Sequence, residues 1–358
     1  MSAAALWARL QAEGLVEGEM PAPDKVTSPW YVRVILGIAG WIAAIFLLMF
    51  VGAGFAFIVE NGAPAIVLGA ACCGGAFFLF RQFDDNDFVE QFALVISLVG
   101  QGLIAVGFGE FMPIESAPYY VALAIVEAGL ALLIPNFLHR VLTTGGTAIA
   151  LALAIKLLSL HGLAAPLLCA GLAWIWLEPR LWAGSGQLWR PVGYGLMLAV
   201  LLVEMFRLFA MDEWVTGASA PADWLALYGP LIGRGVTAAI LVWVAISLCR
   251  REGHGPGSRV GVAAIGGAIL FGLLALNAPG LATAVLVLLL GFAAGNRVLM
   301  ALGILGLFLF VGHFYYSLHA TLLEKSGLLA LTGIALLGAW FLLRRGGTPD
   351  VATEAANA

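Results

Sequence analysis

From Val32 to Leu343 the chain is a succession of apolar runs separated by short polar breaks. A run of about 20 apolar residues is what a membrane-crossing helix requires, with about 17 to 25 observed. Composition agrees: 62% of the 358 residues are hydrophobic and 11% charged, against roughly 45 to 50% apolar and about 25% charged in soluble domains. No stretch between the runs is long enough for a soluble core. The expected fold class is all-α: a polytopic transmembrane helical bundle occupying residues 32–345, with a polar segment at 1–31 and a disordered tail at 346–358.

The runs place spans near 32–58, 63–80, 88–109, 118–138, 142–160, 163–178, 192–210, 230–249, 260–276, 280–295, 298–316 and 327–343. That makes about twelve, or as few as ten if one of the short runs, the sixth or tenth, belongs to a re-entrant pair. Before them, Leu6, Trp7, Leu10 and Leu15 recur at roughly helical spacing and are followed by the breaker PAPD, as in a short amphipathic helix on a membrane surface. Trp30 and Tyr31 precede the first run at the level where aromatic residues meet the interface. No cleavable signal peptide is evident, so the first run is expected to remain as an anchor.

Placing the N-terminus in the cytoplasm puts thirteen of the 17 Lys and Arg residues on the inner side, from Arg9 to Arg345. Only Arg234 and Lys325 fall outside, and the outer loops carry acids such as Glu60, Glu110, Glu115, Asp212 and Glu213. This bias predicts a multi-pass protein of the inner (cytoplasmic) membrane with both termini cytoplasmic. The longest outer loop, MDEWVTGASAPADWLALYG, brings Trp214, Trp224 and Tyr228 to the interface. The lipid bilayer is the expected partner, and nothing resembles a nucleic-acid footprint. Cys72, Cys73, Cys169 and Cys249 show no ligand spacing and read as small core residues, so no metal or cofactor is expected. Gly291 and Gly295 have a small-xxx-small spacing, read as ordinary helix packing.

A charge at the bilayer centre costs at least about 2.5 to 3.5 kcal/mol on insertion scales. Four residues raise that problem: Glu127, Lys156, Glu204 and Arg207. At i,i+3, Glu204 and Arg207 share a helix face and stand about 4.5 Å apart along the axis. Glu127 and Lys156, on neighbouring antiparallel helices, are expected at similar depth, with side chains leaning toward each other. Two readings stand: ligand-binding or ion-pair residues of an outward-facing polar cavity, or clamps between helices, since Lys156 and Arg207 lie near helix C-termini where the dipole favours cations.

His161, His313 and Gln101 are secondary candidates for the same cavity. His319 also falls near the outer boundary, but His313 and His319, six residues apart, are a poor ligand pair on a helix. Glu90 and Gln91 suit the cytoplasmic boundary. QFDDND lacks the glycine and terminal Glu of a calcium loop, and CRREGHGPGSR reads as a topology signal. Signatures of metalloproteases, serine hydrolases, P-loop and dinucleotide-binding enzymes are absent.

The segments SPWYVRVILGIAGWIAAIFLLMFVG and NDFVEQFALVISLVGQGL, with the preceding LWARLQAEGLV, resemble the bacterial membrane family called domain of unknown function 4401. The resemblance covers nearly the whole chain and rests on apolar and aromatic motifs. It implies an inner-membrane protein of unassigned activity, encoded beside other membrane proteins that are possible partners, and it supplies no catalytic residues. The expected function is a transport or membrane-complex component. The alternatives are a structural or interaction subunit and an intramembrane enzyme acting on a lipid-linked substrate.

Overall fold

A computed structural model describes residues 3–14, 18, 30–54, 61–83, 86–209, 211 and 224–317. Among them are twelve helices and no strand. The expected span at 327–343, the tail, His319, Trp214 and Leu15 lie outside the described residues. Six helices, of 21 to 30 residues, are long and apolar enough to cross a membrane. The helices fall into two compact units, Met1–Phe111 and Met112–Ala358.

The first unit contains α1 (Ala3–Ala12), α2 (Trp30–Gly54), α3 (Gly62–Gln82) and α4 (Asp87–Phe111). Helices α3 and α4 pack antiparallel, backbone against backbone. A Cβ on Gly69 would stand 2.5 Å from the Gly100 carbonyl oxygen, and one on Gly100 would stand 2.6 Å from that of Gly69. Small residues at such a crossing give van der Waals contact that lipid cannot supply. Gln101 is buried beside it and donates from Nε2 to Ser97 Oγ at 3.2 Å. Helix α2 packs on α4, where Trp41 Nε1 donates to Gln91 Oε1 at 3.3 Å.

The second unit contains α5 (Ala117–Leu133), α6 (Phe137–Leu157), α7 (Ala164–Leu177), α8 (Pro179–Leu208), α9 (Trp224–Arg251), α10 (Arg259–Ala275), α11 (Leu281–Ala293) and α12 (Arg297–Ser317). Its core joins Leu172 of α7, Met197 and Val200 of α8, Leu241 and Val244 of α9, and Leu286 and Leu290 of α11. Large apolar side chains also cover the outside: Phe308 is 74% exposed and Leu273 59%. A chain apolar within and without is matched to a hydrocarbon solvent.

Long-range hydrogen bonds fix which helix ends lie together. At one end, Arg140 near the start of α6 donates to the Ala131 carbonyl of α5 and to the Gln187 carbonyl of α8, at 3.0 and 3.3 Å. Arg251 at the end of α9 donates to the Leu177 carbonyl, and Asn296 before α12 donates to the Tyr194 hydroxyl of α8 at 2.5 Å. At the other end, Arg234 of α9 donates to the Leu276 carbonyl after α10, and Thr283 of α11 reaches Glu204 of α8. From α6 to α12 the chain therefore reverses direction at each connection.

Several boundaries differ from the sequence reading: α5 ends at Leu133 rather than 138 and α6 begins at Phe137 rather than 142, and two further shifts involve proline. Helix α8 begins at Pro179 rather than 192, because its interior Pro191 is accommodated. Proline at 191 frees the carbonyl of Gln187 four residues earlier, and Arg140 takes that carbonyl up. A separate kink, with non-helical φ/ψ at Ser185, interrupts the first part of α8. Helix α9 begins at Trp224 rather than 230 and carries Pro230 inside it, so Arg234 stands ten residues into the helix instead of near its outer start.

Candidate functional site

Helices α7 and α11 are the shortest of the second unit, at 14 and 13 residues. They extend about 21 and 20 Å at 1.5 Å per residue, against a hydrocarbon core of about 30 Å. Their longer neighbours overshoot them, and cavities form at both ends. One cavity of about 230 Å³ lies where α6 and α8 end and α7 and α9 begin; Lys156, His161, Glu204, Phe206, Arg207 and Pro230 help to line it.

Local backbone chemistry shapes its rim. Helix α6 stops at a left-handed residue, Ser159 with φ 60°. The Ser159 N–H returns to the Lys156 carbonyl and the Leu160 N–H to that of Ile155, the paired bonds that commonly close a helix around glycine. The turn that follows presses against α9 through glycine. A Cβ on Gly162 would run into Gly229, one on Gly229 into the His161 carbonyl, and one on Gly233 into the Gly162 carbonyl. His161, itself buried, has its Nδ1 within 3.1 Å of the Ser159 carbonyl oxygen.

Charge enters from α8. Glu204 is 3% exposed, and its Oε2 accepts from Arg207 Nη2 at 2.7 Å. Its Oε1 accepts from Thr283 Oγ1 at 3.2 Å. Thr283 lies in the first turn of α11, where the helix dipole favours a carboxylate. Arg234 is close enough to feel the charges of both Glu204 and Arg207. Its Nη1 donates to Leu276 at 2.7 Å, whereas its buried Nε has no hydrogen-bond partner among the described residues. Among the described residues, this end of the bundle brings Lys156, Arg207 and Arg234 near the buried carboxylate of Glu204.

Lys156, His161, Glu204 and Arg207 meet around this cavity, and Glu127 does not join its lining. Glu127 stands against Gly146 in the middle of α6, its carboxylate 3.3 Å from where a Cβ would be. Gly146 is ten residues from Lys156, about 15 Å along the axis. The expected match in depth is not seen, because α6 ends at Leu157 and leaves Lys156 one residue from its terminus. His313 packs edge-on against Phe209, just past α8, with ring centroids 5.5 Å apart. Gln101 belongs to the first unit. Sequence reasoning missed Arg234 because Pro230 looked like a helix start, and it passed over His139, which is fully buried at the start of α6. Among the described residues no cluster of His, Cys, Asp or Glu is arranged to hold a metal.

Six membrane-competent helices and an apolar exterior define the class as a multi-pass membrane protein. The family described as Domain of unknown function (DUF4401) matches residues 29–346, and the chain belongs to it. No curated protein and no solved structure matches the chain.

Proposed function

We propose that the second unit binds an amphiphile with an anionic head in the cavity at Lys156 and Arg207, as part of a transport or membrane-complex protein. The carrying observation is that two cationic side chains, Lys156 and Arg207, line a mainly apolar pocket: Ile149, Leu153, Val203 and Phe206 are in its wall. Arginine and lysine recognise an anionic oxygen, and an apolar wall suits a hydrocarbon body. At about 230 Å³ the space lies just below the usual ligand-pocket range of about 300 to 1,000 Å³, which fits a head group and the first part of a chain.

The opposite end carries Arg140, Arg180, Arg190, Arg250, Arg251, Arg259 and Arg297. This asymmetry supports a cytoplasmic position for the arginine-rich end and an outward one for the cavity. An inner-membrane location in bacteria, about twelve spans and cytoplasmic termini complete the reading, supported by the family relationship and by the reversals of direction along α6 to α12. Partnership with other membrane proteins follows from the same relationship; a native protein that runs alone after gentle extraction would count against it.

The binding test uses the full chain in a mild non-ionic detergent, challenged with decyl phosphate, decyltrimethylammonium or decyl maltoside. Decyl phosphate at about 100 times its Kd should stabilise the wild type by about 2.7 kcal/mol, and Lys156→Gln should remove most of that gain. Equal effects of the three amphiphiles on the wild type would sink the proposal. A second reading has its own observation: both Glu204 oxygens are already satisfied by Arg207 and Thr283, as in a clamp that only joins α8 to α11. On that reading, none of the amphiphiles distinguishes wild type from Lys156→Gln.

A further inference from the structure

The second cavity of this unit lies at the other end of the short helices, where α7 and α11 stop and α8 and α12 begin. Its volume is about 700 Å³, and its lining includes Trp176, Trp182, Arg190, Tyr194, Asn296 and Arg297. The wall is an aromatic cluster: Trp176 lies 4.8 Å from Trp182 and 5.7 Å from Tyr194 between ring centroids. Two hydrogen bonds hold it in shape. Trp182 Nε1 donates to the Ile175 carbonyl at 2.8 Å, and Asn296, which caps α12 through the N–H groups of Val298 and Leu299, donates from Nδ2 to Tyr194.

Two arginines enter this space, and among the described residues no carboxylate lines it. Arg190 and Arg297 are both exposed and form no ion pair among the described residues. Guanidinium groups beside an aromatic wall, at the end of a membrane helix bundle, fit the phosphate of a lipid head group. A course for the acyl chain is also present. Val298, Leu305 and Leu309 recur at i, i+7 and i+11 on α12, which places them on one face, and each is about half exposed. Val298 itself belongs to the cavity lining, so the apolar track starts where the basic pocket ends.

We infer that this cavity is a site for an anionic phospholipid, its phosphate between Arg190 and Arg297 and one acyl chain along the exposed face of α12. The assignment does not depend on the ligand of the Lys156 cavity. The test is lipid retention by the purified full chain, read by native mass spectrometry after exchange into mixed micelles. The lipids are dioleoylphosphatidylglycerol and dioleoylphosphatidylcholine, with inorganic phosphate as a competitor.

The wild type should retain phosphatidylglycerol over phosphatidylcholine by roughly tenfold, given two basic side chains near an anionic head. Read in a Lys156→Gln background, which removes the cation of the other proposed anionic site, Arg190→Gln/Arg297→Gln should abolish that preference and Arg190→Lys/Arg297→Lys should keep most of it. Both arginines are exposed, so the variants are expected to keep the wild-type size-exclusion profile. Equal retention of the two lipids by the wild type overturns the inference, as does an undiminished preference in the glutamine variant. Displacement of phosphatidylglycerol by inorganic phosphate at low millimolar concentration also overturns it, because the site would then read free phosphate.

Discussion

The Glu204–Arg207 pair makes an unequal prediction for its two halves. Glu204 has a side chain 4% exposed, while that of Arg207 is 25% exposed and borders the cavity. Arg207→Met leaves a buried carboxylate held by Thr283 alone, and losing one partner of a buried pair costs about 3 to 5 kcal/mol. Glu204→Gln leaves an arginine that can turn into the cavity, and it keeps an oxygen for Thr283, so its cost should be nearer 1 to 2 kcal/mol. At about 2 to 4 °C per kcal/mol for a unit of this size, the expected losses in Tm are about 6 to 20 °C and about 2 to 8 °C.

The double variant Glu204→Gln/Arg207→Met should recover part of the larger loss, giving a coupling of about 2 kcal/mol. Unfolding can be followed with a thiol-reactive fluorophore, since Cys169 and Cys249 are free and buried in the same unit. Equal losses in the two single variants, or a coupling below about 0.5 kcal/mol, would refute the reasoning. The pair would then behave as a solvated contact, and the cavity would be wetter than its lining implies.

Two further expectations concern backbone. Ser159→Gly should stabilise the second unit by up to about 1 kcal/mol in Tm measurements, because the left-handed region penalises a side chain there, whereas Ser159→Val should destabilise it; a stabilising valine would contradict the assigned helix end. In the first unit, Gly100→Ala would drive a Cβ to within 2.6 Å of the Gly69 carbonyl, while nothing lies within 4 Å of one at Gly102. The first change should cost about 1 to 3 kcal/mol and Gly102→Ala should be neutral or mildly favourable; equal effects would mean that α3 and α4 do not meet at this crossing.

What the sequence disclosed followed from what is local. Apolar runs locate helix middles because hydrocarbon tolerates no other surface, and the spacing of Glu204 and Arg207 brings them onto one face whatever surrounds them. The partners that decide the rest are distant in the chain. Pro191 reads as a break until Arg140, 47 residues away from Gln187, is seen to take up the carbonyl it frees. Arg234 reads as an outer-side charge near a helix start until Leu276, 42 residues on, accepts its hydrogen bond. Thr283, 79 residues from Glu204, carries no signal of its own in an apolar run. Charge spacing marked Lys156, Glu204 and Arg207, but the cavity they share depends on helix lengths that apolar runs give only to within a few residues.

The shortness of α7 and α11 also has an electrical consequence. Water standing in both cavities would leave the packed layer around Leu172, Val244, Leu286 and Leu290 as the insulating part of the unit, about 20 Å thick instead of about 30 Å. A membrane potential, worth about 2.3 kcal/mol per elementary charge for each 100 mV, would fall across that shorter distance with a field about half again as steep. Glu204 and Arg207 sit at the edge of this layer, where a charge displacement of a few ångströms would sense the voltage most strongly.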